Sequence, residues 1–220
     1  MNRNEDKNRF DHLMQNVIIS FYYGSTVYNT ITEQSDTDIV CIVTDDCDDF
    51  SNDYNNIWQY HDNNVDYQFI NESKWNNMVQ NYHIIVLESI SLPDKFIIKG
   101  DLTKYKQHFS TIDVWKLRQT ISIIAENAYA KCHKKLIIEK DFDLYRAKKS
   151  LFHSMRVLDF GKQIAENGKI INFESCNKLW NEIYKMDTDK WEDYKLKYKP
   201  LINKMRSEFV KLCPKPIQTF

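Results

Sequence analysis

Apolar positions follow two regimes along this chain. In the first half they come as short β-branched and aromatic runs of strand length, and from about residue 110 they recur at steps of three and four. Residues 4–16 set Phe10, Leu13 and Met14 among charged side chains and predict a short leading helix. The run VIISFYY (17–23) predicts a strand that ends at Gly24-Ser25, and DTDIVCIVT (36–44) predicts a second. The acidic tract 45–53 reads as a loop, VDYQFI (65–70) as a third strand, and Asn71-Glu72-Ser73 as the cap of a helix carrying Trp75, Met78 and Val79. Residues 84–98 are apolar without a clear period and end near Lys99-Gly100.

Beyond residue 110 the period is helical. Val114, Leu117, Ile121, Ile124, Ala128 and Cys132 form one stripe behind the cap candidates Thr111 and Asp113. Ala147, Leu151, Met155, Leu158 and Ala165 form another, which stops at Gly168. Two further helices fit 174–186 and 190–211, the second carrying Trp191, Tyr194, Leu201, Met205 and Phe209. There is no internal repeat and no Gly/Pro-rich linker. The expected architecture is α+β: a mixed sheet flanked by helices over residues 1–110, then an all-helical domain over 111–220.

Composition narrows the classes. With 42% hydrophobic and 14% aromatic residues but only four Gly and four Pro in 220, the chain can fill a core and is not of low-complexity type. No apolar run approaches the roughly 18 residues of a membrane span, and MNRNEDKNRFDHL has no signal-peptide core, so a cytoplasmic protein with no membrane partner is expected. The five cysteines are scattered without a CxxC pair, which predicts reduced thiols rather than disulfides or a zinc site. Abundant Asn, Lys, Ile and Tyr with few Ala suit an A/T-rich genome such as that of a phage or large virus.

The net charge of −1 conceals an asymmetry. Residues 1–110 carry 8 Lys+Arg against 17 Asp+Glu, a net of −9, whereas residues 111–220 carry 22 against 14, a net of +8. An acidic half suits cations and a basic half suits polyanions such as triphosphates or nucleic acid; surfaces of unlike composition are the plainer reading.

The stretch that carries chemistry is GSTVYNTITEQSDTD (24–38). A strand running into Gly24-Ser25 and a helical turn turns backbone N–H groups outward, and glycine lets an anion approach closely. Asp36 and Asp38, at i and i+2 on a strand, would project from one face. Two carboxylates so close repel by a few kcal/mol at an effective dielectric of about 20 unless a divalent cation lies between them, and hard oxygen donors suit Mg²⁺. A third carboxylate is expected on a neighbouring strand. Asp66, between Val65 and Tyr67, faces the same cleft if those two pack into the sheet. Asp62 and the group Asp45, Asp46, Asp48 and Asp49 are its rivals, with a solvated loop the plainer reading of the group.

The run GSTVYNTITEQSDTDIVCIV resembles the Gly-Ser, about ten residues, Asp-x-Asp signature of the DNA polymerase beta-type nucleotidyltransferase superfamily. Its extended form, Gly-Ser-x-x-Tyr-Gly-Thr followed by Ser-Asp-x-Asp, is similar to small phage and bacterial members of RNA-repair pathways. The resemblance covers residues 24–68 and continues more weakly around Lys148–Gly168. It implies substrate phosphates at Gly24, Ser25 and Ser35, and metal-binding, catalytic Asp36, Asp38 and Asp66. The implied cofactor is a pair of Mg²⁺ ions, for which Mn²⁺ can substitute. The implied reaction moves an NMP from an NTP, ATP first, onto an acceptor hydroxyl with release of pyrophosphate. An RNA 3′ end is the expected acceptor; a protein hydroxyl, or a non-catalytic binding module of the same fold, are the alternatives. One departure is Asn29 where the extended motif has glycine, and Asn tolerates left-handed dihedrals.

On the helix over 145–160, Tyr145, Lys149, His153 and Arg156 lie within about 80° of one another, opposite the apolar stripe. This predicts a cationic face, either simply solvated or engaged with triphosphate or RNA, with His153 available for proton transfer. Lys116 and Arg118 are lesser candidates for phosphate contact, and Tyr22, Tyr23 and Tyr28 for base stacking or core packing.

Overall fold

The structure is a computed structural model that describes residues 3–47 and 57–216. Asp48, Asp49 and the rest of the acidic tract to Asp53 lie outside the described residues. The chain divides into two compact units, residues 1–108 and 109–220.

The first unit is built on a five-stranded mixed sheet. Helix α1 (Arg3–Gln15) leads into β1 (Val17–Tyr23), the single-turn helix α2 (Ser25–Tyr28), and then β2 (Thr37–Val43), β3 (Ile57–Asp62) and β4 (Val65–Asn71). After these come α3 (Glu72–Gln80), α4 (Ile84–Ser89), β5 (Ile97–Lys99) and α5 (Thr103–His108). The strand order is β3-β4-β2-β1-β5, with β2 and β4 parallel and the other neighbours antiparallel. Asn71 caps α3 as its side chain accepts the Lys74 N–H at 2.9 Å.

Alternation gives the sheet two different faces. Ile39, Cys41, Val43, Tyr67, Phe69, Trp58 and Tyr60 pack with Phe10 and Leu13 of α1. Phe10 stands at the centre, 4.5 Å from Tyr60, 5.0 Å from Tyr67 and 5.8 Å from Phe69 between ring centroids. A register shift between Val17 and Ile19 lets both be buried although they are two residues apart: Val17 pairs with Val43, on one face, and Ile19 with Ile42, on the other. On that opposite face Phe21 meets Trp75 of α3 at 6.0 Å, and Trp75 meets Tyr105 of α5 at 5.9 Å. Burying large side chains such as these contributes roughly 1.5–3 kcal/mol each.

Two elements depart from the expected pattern. β3 was not anticipated, because IWQYHD is a half-exposed edge strand without Gly or Pro punctuation. Its turn is the two-residue Asn63-Asn64, with Asn63 at φ 54°, which closes a hairpin as a left-handed residue should. The apolar run 84–98 resolves into α4, a 3₁₀ turn over Asp94–Phe96, and β5.

The second unit is all helical: α6 (Val114–Ile137), α7 (Leu144–Asn167), α8 (Asn177–Tyr184) and α9 (Trp191–Leu212). Asp113 caps α6, accepting the Lys116 N–H at 3.0 Å, and Gly168 ends α7 in a left-handed conformation. α7 packs against α6, α8 and α9. At Gly161 of α7 there is no room for a side chain: a methyl there would lie 2.9 Å from Ile121 Cγ2 of α6 and 2.9 Å from Phe209 Cε2 of α9. The buried stripe of α6 is Leu117, Ile121, Ala125, Ala128, Cys132 and Leu136, with Ala125 taking the place expected for Ile124. The α+β class, a mixed sheet flanked by helices and an all-helical second half, is therefore present. Among the described residues no helix is long and apolar enough to cross a membrane, and all five cysteines are buried free thiols.

Candidate functional site

β1 ends at Tyr23, and Gly24 then turns the chain into α2. Gly24 has φ 65° and ψ −143°, a region in which side chains other than hydrogen are strained. The turn lies directly against β2: a Cβ on Gly24 would fall 2.0 Å from Oδ2 of Asp38. Ser25 is buried, and Asn29 closes α2 at φ 55° and ψ 43°, the left-handed conformation expected of it, with its N–H on Ser25 O.

Asp38 lies on β2, and the parallel register sets it beside Asp66 of β4. Registered neighbours point to one face, and here it is the face opposite Phe10, since Tyr67 and Phe69 take the other side. Asp38 and Asp66 line one cleft of about 240 Å³ together with Tyr23, Gln59, His61 and Gln68. Asp36 differs from expectation. It is an exposed residue just before β2 rather than part of the strand, so the i and i+2 pairing on a strand face does not hold for it. It remains close enough to act on His61 electrostatically.

Two side chains of the motif are engaged by the protein itself. The Ser35 hydroxyl accepts the Thr32 N–H at 2.9 Å and lies 3.2 Å from Thr32 Oγ1, which holds the turn before β2. His61, cross-strand from Asp66, contacts it through Nδ1 to Oδ1 at 2.5 Å. That carboxylate, with Asp36 nearby, holds the imidazole proton above its ordinary pKa. Both side chains are about half exposed, so the pair is a surface contact of small energy.

The donor chemistry fits a magnesium ion shared with substrate phosphates, because Mg²⁺ commonly takes one or two carboxylates and completes its shell with water and phosphate oxygens. An all-protein cage is a different matter. Among the described residues no group of three or more His, Cys, Asp or Glu side chains converges to hold a metal. Asp62 sits at the exposed end of β3, and Asp45 accepts the backbone N–H and the hydroxyl of Ser73 at the start of α3, which removes both from the cleft.

The expected cationic face of α7 is uneven: Arg156 is buried, Tyr145 and His153 are half-buried and Lys149 is exposed. Arg156 is 9% exposed, its guanidinium lies 3.0 Å from His153 Nδ1, and it packs over the rings of Phe152 and Phe160. Burial, then the charges of Arg156 and Lys131, push the His153 pKa down to about 3, so the imidazole is neutral and not a proton donor at neutral pH. Lys149 is exposed and stacks over Tyr145. Arg118 donates to Cys213 O at 3.1 Å and lies over Trp115.

Three further residues bear on the cleft or its neighbourhood. His61 needed the β3–β4 register to be seen. Glu88 was signalled only as a lone acid in the apolar run 84–92. It is buried, and Tyr28 donates a hydrogen bond to its Oε2. Tyr23, considered only for stacking or packing, pairs with Asp38 and lines the cleft.

No protein-family model matches the chain and no curated protein matches it in sequence. Solved structures overlay it, two of them as follows. One is a spectinomycin adenyltransferase from Enterococcus faecialis, solved with ATP and spectinomycin, at 14% identity and TM-score 0.43, covering 94% of this chain and 98% of that one. The other is a nucleotidyltransferase-like protein from Exiguobacterium sibiricum, at 14% identity and TM-score 0.32, covering 95% and 72%. These are similarities of arrangement at low score, and neither protein's activity passes to this chain through them.

Proposed function

We propose that the first unit is a Mg²⁺-dependent nucleotidyltransferase that moves an NMP, from ATP by preference, onto an acceptor hydroxyl and releases pyrophosphate. One observation carries the reading: Asp38 and Asp66 stand side by side in one cleft on the sheet, with the Gly24-Ser25 turn packed against the first of them. Phosphoryl transfer works by positioning and by Mg²⁺, which one or two carboxylates can hold while substrate phosphates complete its shell.

In this reading Gly24 and Ser25 receive the phosphates, and Asp38 and Asp66, joined by the exposed Asp36, are the carboxylates that would hold Mg²⁺. When bound, the metal would neutralise triphosphate charge and lower the pKa of the acceptor hydroxyl. Asp66 takes the hydroxyl proton, the acceptor oxygen bonds to the α-phosphorus, and the bond from that phosphorus to the β-bridging oxygen breaks, so pyrophosphate leaves. The acceptor is an RNA 3′ end, supported by the net +8 of residues 111–220 and by the exposed Lys149.

Incubation with α-labelled ATP, Mg²⁺ and either RNA or candidate proteins tests this, with Asp38→Asn alongside. Label on RNA 3′ ends that Asp38→Asn abolishes is the expected result. Label on protein alone replaces the RNA acceptor with a protein hydroxyl. No label, with equal affinity of both proteins for an ATP analogue in Mg²⁺, rejects the enzyme.

A further inference from the structure

The Gly24-Ser25 turn is bracketed by two tyrosines that meet each other beside one buried carboxylate. Tyr23 precedes the turn, pairs with Asp38 and lines the cleft. Tyr28 ends α2 and is 2% exposed. Their rings meet edge to face, with centroids 6.1 Å apart. Tyr28 donates to Oε2 of Glu88, and burial, then the Glu88 charge and the neighbouring Tyr28, push the pKa of the Tyr23 phenol well above its ordinary value. Glu88 is 1% exposed on α4, a helix whose six residues are all buried.

A carboxylate in such a position costs free energy unless its hydrogen bonds are made, and core packing alone would be served by an apolar residue in the run IIVLES. What the carboxylate adds is geometry. A four-residue helix has too few internal hydrogen bonds to fix its own orientation. The Tyr28 hydroxyl anchored on a packed helix, with the Tyr23 ring set edge to face against Tyr28 across the turn, supplies that orientation. We propose that Glu88 is a positioning residue: by holding Tyr28, and through its ring Tyr23, it fixes the Gly24-Ser25 turn against Asp38. The catalytic part of this inference rests on the nucleotidyl-transfer reading; the structural part does not.

The test compares Glu88→Ala, Glu88→Gln and Tyr28→Phe in the full chain, by ATP-dependent transfer with Mg²⁺ and by amide hydrogen exchange. Misplacing the turn should lower kcat by about 10- to 100-fold in Glu88→Ala and Tyr28→Phe with little change in KM for the acceptor. Glu88→Gln keeps an acceptor of the same shape and should restore kcat to within about threefold of wild type. Exchange should quicken selectively over residues 24–30 in the first two variants and recover in Glu88→Gln. Wild-type kcat in Glu88→Ala, or exchange that stays unchanged or rises equally along the whole chain, overturns the inference. If the wild-type protein transfers no nucleotide, the enzyme reading fails separately, and the exchange pattern still decides whether Glu88 holds the turn.

Discussion

Asp38 occupies the space that a side chain on Gly24 would need: a Cβ built there would stand 2.0 Å from Oδ2 and 2.9 Å from Cγ of the aspartate. The turn and the carboxylate are thus fitted to each other, and a side chain on Gly24 must displace Asp38.

Gly24→Ala should therefore do two things. The backbone at φ 65° and ψ −143° is strained for alanine, which costs about 1–3 kcal/mol of stability and shows as a lower urea midpoint. The methyl also displaces the Asp38 carboxylate, so Mg²⁺-dependent affinity for an ATP analogue should fall by about tenfold or more in calorimetric titration. Stability lost with affinity unchanged would mean that the carboxylate position is immaterial to nucleotide binding.

Lys148 is 8% exposed and donates to Tyr184 O at 3.0 Å and Met186 O at 2.7 Å, satisfying carbonyls at the C-terminal end of α8. Burial lowers its pKa, so the ammonium is held there against a desolvation cost. Lys148→Met keeps most of the hydrocarbon stem but leaves the carbonyls without their donor, and the unfolding free energy should drop by about 1–3 kcal/mol. A midpoint equal to wild type would show that desolvation of the ammonium cancels both hydrogen bonds.

His153 sets a pH dependence with a definite sign. Its folded pKa of about 3 lies below the ordinary 6.5, so the unfolded chain takes up a proton that the folded chain refuses. Its contribution is complete above pH 6.5 and is lost progressively as pH falls from there toward 3. Between pH 7 and pH 5 the loss is about 1–2 kcal/mol. His153→Gln should flatten that part of the curve in urea unfolding at the two pH values; a wild-type slope in the variant would refute the assignment.

Much of this was legible in the chain because it depends on local period. β1, β2, β4, α3, α6 and α7 follow from runs, caps and stripes that the residues carry themselves, and Asn29 was readable because its side chain suits a left-handed residue. What depends on partners was not readable. Asp36 leaves the strand because β2 begins one residue later, at Thr37, whose N–H is taken by Asn64 O. His61 meets Asp66 only through hairpin register. A helical wheel assigns Arg156 to a wet face, yet α7 packs against α6, α8 and α9, so that face is covered at Arg156 while Lys149 stays exposed.

The same backbone that offers Asp66 upward presses Tyr67 and Phe69 downward onto Phe10. A slip of β4 by a single residue past β2 would force Asp66 and Gln68 into that greasy underside and strand two aromatic rings in water. The floor of the sheet thereby acts as a gauge for its acids: whatever oil-like residues replace Tyr67 and Phe69 over time, they must keep the ratchet in its one permitted tooth.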